Sequence, residues 1–392
     1  MNWKMTQIDE VKRNVVDLAA ELISIPSYQT ESEVATFLAA YLSRIGCKVS
    51  FEEVEPRRPN ILAVLEGRAK NKILMFCGHL DTVPPVSKEQ LHPQVRNGKL
   101  YGRGSCDMKG ALAAMVCALD ALVKHVKEIA GTIVFLATMG EETGLRGMKH
   151  FVARSARTPK ISACIVGEPT SFDVGIAHKG VAWIKIAARG KAAHASVPNR
   201  GKNAVYFASL IVKALHENLA QSLLKKTHPL LGPGTISAGV IKGGTRPNIV
   251  PDQCIVKVDR RWLPGESLEE VLNEIRLMVE TIEKERPGYE TRIVIEDYYP
   301  PFQIGPESRI VKMVKKAVCT VIERPPRLVG LPYGTDGALI QATQVPTIIV
   351  GPGNYALAHT EDEFIQVREL MLATQVYFEI AKNFLKFNEG SY

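Results

Sequence analysis

Four short apolar segments limit the folds available to this chain more than any other feature of its sequence. They are Ile73–Cys77, Ile133–Ala137, Ala163–Val166 and Thr347–Val350. None of them alternates between polar and apolar residues, so each is predicted to be a strand buried on both faces. Helical segments separate them, including Leu112–Val123, and a further helix is predicted over Glu369–Phe384. The pattern predicts an α/β fold with a mostly parallel sheet covered by helices.

A different pattern occupies the middle of the chain, where the strands alternate between polar and apolar residues as in a sheet with one buried face. The predicted order is strand Val181–Ala188, helix Asn203–Leu215, strand Thr235–Ile241, strand Cys254–Asp259, helix Leu268–Glu283 and strand Thr291–Glu296. This β-α-β-β-α-β order is typical of the ferredoxin-like fold. We therefore expect residues 180–296 to form an α+β domain inserted into a catalytic domain made of residues 1–179 and 297–392.

Composition excludes several other classes of protein. The chain has 392 residues, of which 46% are hydrophobic and 23% charged, so it is neither disordered nor a disulfide-stapled miniprotein. The longest apolar helix candidate, Ala111–Val123, is shorter than the ~18 residues of a membrane span and contains Asp120. The net charge of +8 is dispersed, without runs of five or six like charges. We expect neither a nucleic-acid nor a membrane partner.

The cysteines and the first 25 residues indicate where the protein works. The seven cysteines are scattered and form no CxxC pair, which is typical of a reducing compartment. The first 25 residues carry charges that a signal peptide would lack. Their apolar residues Val11, Val15, Leu18 and Leu22 have helical spacing and predict an amphipathic helix. A cytoplasmic location is expected.

Residues with ligand-type side chains follow each of the apolar strands. They are His79 with Asp81, Glu141 with Glu142, Glu168, and His359, while Asp107 stands at the entry to the first covering helix. Sites in open α/β sheets form beyond the carboxyl ends of the strands. Each residue alone has an ordinary alternative: a surface His-x-Asp pair, a helix cap at Asp107, a solvated acidic loop or a stray loop histidine. Together, histidine and carboxylate ligands without thiolate favour Zn²⁺, Co²⁺ or Mn²⁺ in a hydrolytic site.

These motifs, read as GHLDTVP, YGRGSCDMKG, GEPT and GTDG, resemble those of the M20 metallopeptidases over essentially the whole chain. The family includes acetylornithine deacetylase, succinyl-diaminopimelate desuccinylase, aminoacylase and a glutamate-releasing carboxypeptidase. The resemblance implies two divalent metal ions, Zn²⁺ first and Co²⁺ or Mn²⁺ as alternatives. It implies that Asp107 bridges the metals, with His79 and Glu168 on one and Glu142 and His359 on the other. It also implies that Asp81 orients His79 and that Glu141 is the general acid/base.

The resemblance extends to the inserted domain, where it implies a lid and dimerisation domain and a homodimer in which His194 reaches the active site of the partner subunit. It assigns substrate contacts to Asn248, Arg261 and Thr335. Each has an alternative from the residues alone: an exposed loop histidine for His194, a turn for Asn248, a strand-end salt bridge for Arg261 and a glycine turn around Thr335. The chain departs from the desuccinylase branch at Tyr355, where those relatives have an asparagine.

The expected function is metal-dependent hydrolysis of the amide bond of an N-acyl amino acid or a related N-acyl amine. Short peptides are the alternative substrates, because a dipeptidase or carboxypeptidase uses the same scaffold. A non-enzymatic alternative is a binding or scaffold protein with a relic site. The intact ligand set and the presence of Glu141 favour the enzyme.

Overall fold

The computed structural model of this chain describes residues 5–68, 72–125, 129–154 and 160–385, with the backbone alone for residues 5–13. In chain order the helices α1 to α10 are Met5–Ser24, Ser32–Arg44, Lys109–Val123, Arg146–Ala153, Ala204–Ala214, Ala220–Leu223, Leu268–Glu285, Arg309–Ile322, Gly337–Ala342 and Val367–Leu385. The strands β1 to β20 are Lys48–Glu55, Arg58–Glu66, Ile73–His79, Gln94–Arg96, Lys99–Tyr101, Thr132–Thr138, Ala163–Val166, Val174–His178, Gly180–Arg189, Ala193–His194, Thr227–His228, Gly232–Pro233, Thr235–Gly243, Ile249–Val250, Gln253–Trp262, Glu290–Tyr299, Phe302–Gln303, Leu328–Leu331, Thr347–Ile349 and Phe364–Gln366.

The chain divides into two compact units. The first unit consists of Met1–Ile176, Ile304–Val329 and Thr335–Tyr392, and the second consists of Ala177–Gln303 with Gly330–Gly334. The second unit thus takes in the predicted insertion 180–296, a few residues on either side of it and a short later segment. Its role as a lid and dimerisation domain stays a prediction.

The first unit is built around a mixed sheet whose strand order includes β1-β2-β6-β3-β7-β19-β8. The strands β6, β3, β7 and β19 run parallel to one another, while β1, β2 and β8 pair in antiparallel fashion. These four parallel strands are the four apolar segments of the sequence, and every residue of β3 and β6 is buried. The predicted α/β fold with a mostly parallel central sheet is confirmed, and the antiparallel strands extend it at its sides.

Helices cover this sheet because their apolar faces are wide. Helix α3 is buried along most of its length and packs against α1 and α10. In α1 the side chains of Val15, Leu18 and Leu22 are buried, as their spacing predicts, whereas the side chain of Val11 lies outside the described residues. Among the described residues, we find no helix whose length and apolar character would allow it to cross a membrane.

The second unit contains a four-stranded antiparallel sheet with the order β13-β15-β9-β16. Alternate residues of β9, from Ala182 to Ala188, pack into a core with residues of α5 and α7. Asn203 and Ser267 begin these two helices, because their side chains accept hydrogen bonds from the otherwise unpaired N–H groups of the first turn. The order of elements matches the β-α-β-β-α-β pattern read from the sequence.

Candidate active site

The strand order of the first unit brings the predicted ligands together. His79 is the last residue of β3, Glu141 and Glu142 follow β6, and Glu168 follows β7. Strands β6, β3 and β7 are parallel neighbours, so their carboxyl ends lie side by side. The sequence could locate each of these residues at a strand end, but only the sheet order makes them one cluster.

One group of ligand-type side chains consists of His79, Asp107 and Glu168, which are buried or nearly so. The distance from His79 Nε2 to Asp107 Oδ1 is 3.0 Å, and the distance to Glu168 Oε1 is 3.9 Å. The ligand atoms of the group all lie within 4.8 Å of one another. This spacing suits three ligands of a single cation.

A second group, Asp107, Glu142 and His359, shares its aspartate with the first. His359 Nε2 lies 2.9 Å from Glu142 Oε1 and 3.4 Å from Asp107 Oδ2. One oxygen of Asp107 therefore faces His79 and the other faces His359. This is the arrangement that a carboxylate bridging two metal ions requires.

The hydrogen bonding of His79 tests whether these residues fit a metal ion. Its Nδ1 lies 2.9 Å from the backbone carbonyl oxygen of Asp81, which can only accept a hydrogen bond, so Nδ1 carries a proton. In the neutral ring Nε2 is then a bare lone pair, and it faces a carboxylate oxygen of Asp107 at 3.0 Å. Two acceptors at this distance need a proton or a cation between them. The site fits a divalent cation bound by imidazole and carboxylate.

The electrostatics of the cluster lead to the same conclusion. Burial raises the pKa of the Glu141 carboxyl well above its usual range, and the charge of Glu168 raises it further. Burial would also raise the pKa of Asp107, but its hydrogen bonds to His359 and His79 lower it. The hydrogen bonds of His359 to Asp107 and Glu142 raise the pKa of His359 to about 10. Without a metal ion, protonated histidines have to compensate the crowded carboxylates, which is the charge that a cation would supply.

Asp81 contacts both His79 and the loop after β6. The Nδ1–H group of His79 donates to the backbone carbonyl oxygen of Asp81 at 2.9 Å, and a carboxylate oxygen of Asp81 lies 3.6 Å from Nδ1, within ion-pair distance. The two carboxylate oxygens also accept the backbone N–H groups of Glu141 and Glu142, at 3.0 and 3.1 Å. Burial raises the pKa of Asp81 to about 6. Asp81 therefore links His79 to the loop after β6.

Sequence reasoning missed Glu363 and Arg103, which hold the loop that carries Asp107. The Oε1 atom of Glu363 accepts the backbone N–H groups of Gly104, Cys106 and Asp107 at 3.0–3.1 Å. Its Oε2 atom lies 2.5 Å from Arg103 Nη1, and both side chains are buried. Arg103 lies within the motif 101–110, and Glu363 follows His359 by four residues, but neither position indicates a buried ion pair.

The predicted substrate residue Thr335 is fully buried, and its hydroxyl accepts the N–H of Gly337 at 3.1 Å. The adjacent Asp336 is also buried and accepts a hydrogen bond of 2.6 Å from Thr138, at the end of β6. Burial raises the pKa of Asp336 to about 6. In this segment Asp336 therefore contacts the end of β6 directly.

In the second unit the structure brings His194 and Asn248 together, which the sequence did not indicate. The short strands β10 and β14 pair His194 with Ile249, and the N–H of Ala195 donates to the carbonyl oxygen of Asn248 at 3.1 Å. The backbone N–H of Ser196 donates to Nδ1 of His194 at 3.2 Å. Because Nδ1 is the acceptor, the neutral ring carries its proton on Nε2, and that edge of the exposed side chain can donate a hydrogen bond.

Arg261 makes a two-point salt bridge with Asp259, two residues earlier on β15. Its Nε and Nη2 atoms lie 2.7 and 3.0 Å from the two carboxylate oxygens. Trp183 on the neighbouring strand β9 also donates to Asp259, at 3.0 Å. The strand-end salt bridge that the sequence left as an alternative is therefore present, and contact between Arg261 and a substrate stays a proposal.

Comparison with known proteins gives one consistent family. Residues 75–383 match the model of peptidase family M20/M25/M40. An acetylornithine deacetylase from Aliivibrio salmonicida is 32% identical over 338 residues, covering 84% of this chain and 85% of the relative. The family is metal-dependent, with a dinuclear site.

Solved structures share the fold. The aminopeptidase PepT from Bacillus cereus has a TM-score of 0.77 at 24% identity, covering 95% of this chain and 98% of that one. The YXEP protein of Bacillus subtilis, a dinuclear metal-binding peptidase, has a TM-score of 0.75 at 17% identity, covering 96% and 99%. The resemblance found in the sequence is confirmed, as is its implication of a metal-dependent amidohydrolase. The chain belongs to peptidase family M20/M25/M40.

Proposed function

We propose that this protein hydrolyses the amide bond of an N-acyl amino acid, or of a similar N-acyl amine, with two bound divalent metal ions. One observation carries the proposal: Asp107 turns one carboxylate oxygen to each of two ligand groups, and Glu141 stands beside the ligand Glu142. Zn²⁺ is the metal we propose for both positions, since its preferred ligands in catalytic sites include histidine and carboxylate.

The ligands divide between the two positions as the distances suggest. His79 and Glu168 would hold one ion, Glu142 and His359 the other, and Asp107 both. Bound metal ions of this kind supply Lewis acidity, which polarises a carbonyl group and makes a water molecule acidic enough to act at neutral pH.

Glu141 is the proton carrier of the proposed reaction. Its carboxylate accepts a proton from the attacking water and passes it to the amine nitrogen as the carbon–nitrogen bond breaks. A raised pKa suits this work, because a base that must also act as an acid is most effective when its pKa is near the working pH. Asp81 keeps Glu141 in place by accepting its backbone N–H.

Two residues of the second unit complete the proposal. The Nε2–H edge of His194 would donate to the oxygen that becomes negative when water attacks the carbonyl. Arg261 would bind a carboxylate of the substrate in competition with Asp259. We propose that His194 acts in the active site of the partner subunit of a homodimer, with Asn248 beside it. We also propose a cytoplasmic location, since the seven scattered cysteines without a CxxC pair are typical of a reducing compartment.

The relatives support the deacylase more than the peptidase. The relative from Aliivibrio salmonicida is named as an acetylornithine deacetylase and exceeds 30% identity, whereas the PepT structure, below 25% identity, supports the fold alone. A peptidase acting on dipeptides or on a carboxyl-terminal residue is therefore the second candidate. Tyr355, exposed where desuccinylase relatives have asparagine, argues against an N-succinyl substrate.

A hydrolysis screen tests the proposal. N-acetyl, N-formyl and N-succinyl amino acids and a set of unblocked dipeptides are incubated with protein loaded with Zn²⁺ or Co²⁺, and the released amine is measured. We expect N-acetyl or N-formyl substrates to be cleaved, with the Glu141→Gln variant as the inactive control. Cleavage of unblocked dipeptides alone would replace the deacylase with the peptidase. Absence of all cleavage by metal-loaded protein would favour a binding protein.

A further inference from the structure

The loop that carries Glu141 and Glu142 is closed upon itself. The N–H of Gly147 donates to the carbonyl oxygen of Met139 at 2.9 Å, and the N–H of Arg146 donates to that of Gly140 at 3.1 Å. Gly140 adopts a left-handed conformation, with φ of +60°, where the chain turns out of β6. The position of both acidic side chains therefore depends on how this loop, residues 139–147, is held.

Three side chains hold the loop by accepting four consecutive backbone N–H groups. Those of Met139 and Gly140 donate to Asn60 Oδ1 at 3.0 Å and to Glu31 Oε1 at 3.2 Å. The next two N–H groups donate to the carboxylate of Asp81, as described above. All three acceptor residues are buried, with at most 2% of their surface exposed. Each N–H of the loop between β6 and the proposed ligand Glu142 thus has its own acceptor atom.

Glu31 is placed for this contact rather than for a local one. It precedes α2 at the position where a side chain would cap the helix, yet its side chain makes no capping hydrogen bond. Its oxygens instead meet Arg58 of β2, at 2.6 Å to Nη2 and 2.8 Å to Nε. A buried carboxylate is costly without a partner, and Arg58 compensates its charge in a two-point geometry.

Asn60, two residues after Arg58 on the same strand, fastens the other end of the loop. Its Nδ2 group donates to the carbonyl oxygen of Gly147 at 2.9 Å. A Cβ atom at Gly147 would lie 2.3 Å from Asn60 Oδ1, so the loop approaches this side chain closely only because glycine stands there. Strand β2 and the residue before α2 therefore form one rigid support for the loop.

We propose that Glu31, held by Arg58, and Asn60 are positioning residues that arrange Glu141 and Glu142 before metal or substrate binds. The catalytic part of this inference rests on the function proposed above. The physical reason is that a buried N–H without an acceptor is destabilising, so the loop is stable only where its acceptors are. Glu363 and Arg103 support the loop of Asp107 in the same way, with a buried carboxylate that accepts backbone N–H groups while an arginine compensates it.

Three variants of Glu31 separate positioning from general stability. Glu31→Ala removes the acceptor and the charge, Glu31→Asp keeps the charge but withdraws the acceptor by one methylene, and Glu31→Gln keeps an acceptor oxygen but loses the charge. Asp173→Asn is the matched control, because Asp173 is likewise a buried carboxylate that accepts a backbone N–H and pairs with arginine, but its partners are Arg324 and Arg327 and not the loop. Both Glu31→Ala and Glu31→Gln weaken the ion pair with Arg58, so both are expected to lower the unfolding temperature.

The first measurement is hydrogen–deuterium exchange of the peptide covering residues 139–147 in metal-free protein. The second is the zinc content and affinity by equilibrium dialysis, and the third is kcat and KM for any substrate found. We expect Glu31→Ala and Glu31→Asp to speed exchange in this peptide and to lower the affinity for one of the two zinc ions by ~10–100-fold. This is the usual effect of removing a residue that supports a metal ligand. kcat should fall more than KM rises. Glu31→Gln should retain exchange protection and zinc affinity despite its lower unfolding temperature.

The proposal fails if Glu31→Gln loses exchange protection and zinc affinity to the same degree as Glu31→Ala. Both losses would then reflect the lower stability of the two variants alone. It also fails if Asp173→Asn loosens the loop as much as Glu31→Ala does. If Glu31→Ala does not fold, the comparison of Glu31→Asp with Glu31→Gln gives the same decision. Exchange and zinc binding need no substrate, so a chain that cleaves nothing in the screen can still pass this test while the proposed hydrolysis is rejected.

Discussion

In the first unit, His79 and Glu168 are almost wholly buried, and the loops that carry Asp107 and Glu142 are held by buried carboxylates. In the second unit, His194 and Asn248 are exposed, and Arg261 is occupied by a salt bridge to its own strand neighbour. The first group satisfies the requirements of a metal site within one chain. The second group offers hydrogen-bond donors that belong to neither of the two ligand groups.

This difference teaches how completely each part of the proposed site is specified by a single chain. Burial makes each ligand position costly to change, since carboxylates out of water need fixed partners. Exposure leaves His194 free of such constraints, so its function depends on what approaches it. The first unit is expected to bind metal by itself, and the second to act only together with another surface. Four predictions test this contrast, beginning with the largest effect.

The strongest test of the first unit is Asp107→Ala. Because each oxygen of Asp107 faces one ligand group, we expect this variant to lose both metal ions and to show only background hydrolysis. Metal analysis by mass spectrometry after dialysis measures the first effect. Asp120→Ala, which removes a carboxylate from α3 outside both groups, is the control. Full metal content in the Asp107→Ala protein would contradict the two-metal site.

Glu141→Gln should separate catalysis from metal binding in the same unit. The change removes the proton carrier and leaves the ligands, so kcat should fall by about 10²–10⁴-fold while the metal content stays at the wild-type level. Kinetics and metal analysis on the same preparation measure both. Depleted metal in this variant would show that Glu141 is a ligand instead of the base.

Subunit mixing tests the second unit. If His194 acts in the partner's site, Glu141→Gln and His194→Ala subunits should restore activity when they exchange, because a mixed dimer has one doubly damaged and one intact site. With random exchange, half the dimers are mixed and about a quarter of all sites are intact. Activity near that fraction is expected, and native mass spectrometry confirms exchange. No recovery after proven exchange would place His194 in its own chain's site.

The smallest effect concerns His178, the buried exception among the histidines of the second unit. Burial lowers its pKa to about 4, while its ring contacts the carbonyl oxygen of Lys179 at 2.9 Å and stacks on Phe302. The unfolded chain takes up this proton near pH 6.5 and the folded chain only near pH 4. The free energy of unfolding should therefore fall by up to about 3 kcal/mol as the pH drops across that interval.

Chemical denaturation at several pH values measures this loss. His178→Asn keeps a donor near the Nδ1 position and removes the titration, so its stability should depend less on pH than that of the wild type. His216→Asn, at an exposed histidine, is the control and should leave the pH dependence unchanged. Equal pH dependence in the wild type and His178→Asn would show that His178 is not the group responsible.

The sequence alone was enough for the four parallel strands, for the main elements of the inserted domain and for the residue types of the candidate ligands. Apolar runs such as Ile73–Cys77 have no alternation, and that absence is a local property which predicts a buried parallel strand wherever it occurs. Residue type is also local information, so histidine and carboxylate residues at strand ends indicate which metal ions they would prefer. The family resemblance then assigned the role of base to Glu141 and that of ligand to Glu142, which are proposals that the local pattern could not distinguish.

Only the tertiary structure determined which residues support the site. Glu31, Asn60 and Glu363 are distant in sequence from the loops whose N–H groups they accept, and a buried glutamate looks like a surface glutamate in a sequence. The hydrogen bonds that the Asp81 carboxylate accepts from two backbone N–H groups were likewise invisible in the sequence, because they depend on the conformation of a loop 60 residues later. Residue type and local spacing determine an element and the chemistry that its side chains can perform. A hydrogen bond between distant residues depends on where the fold places its two partners.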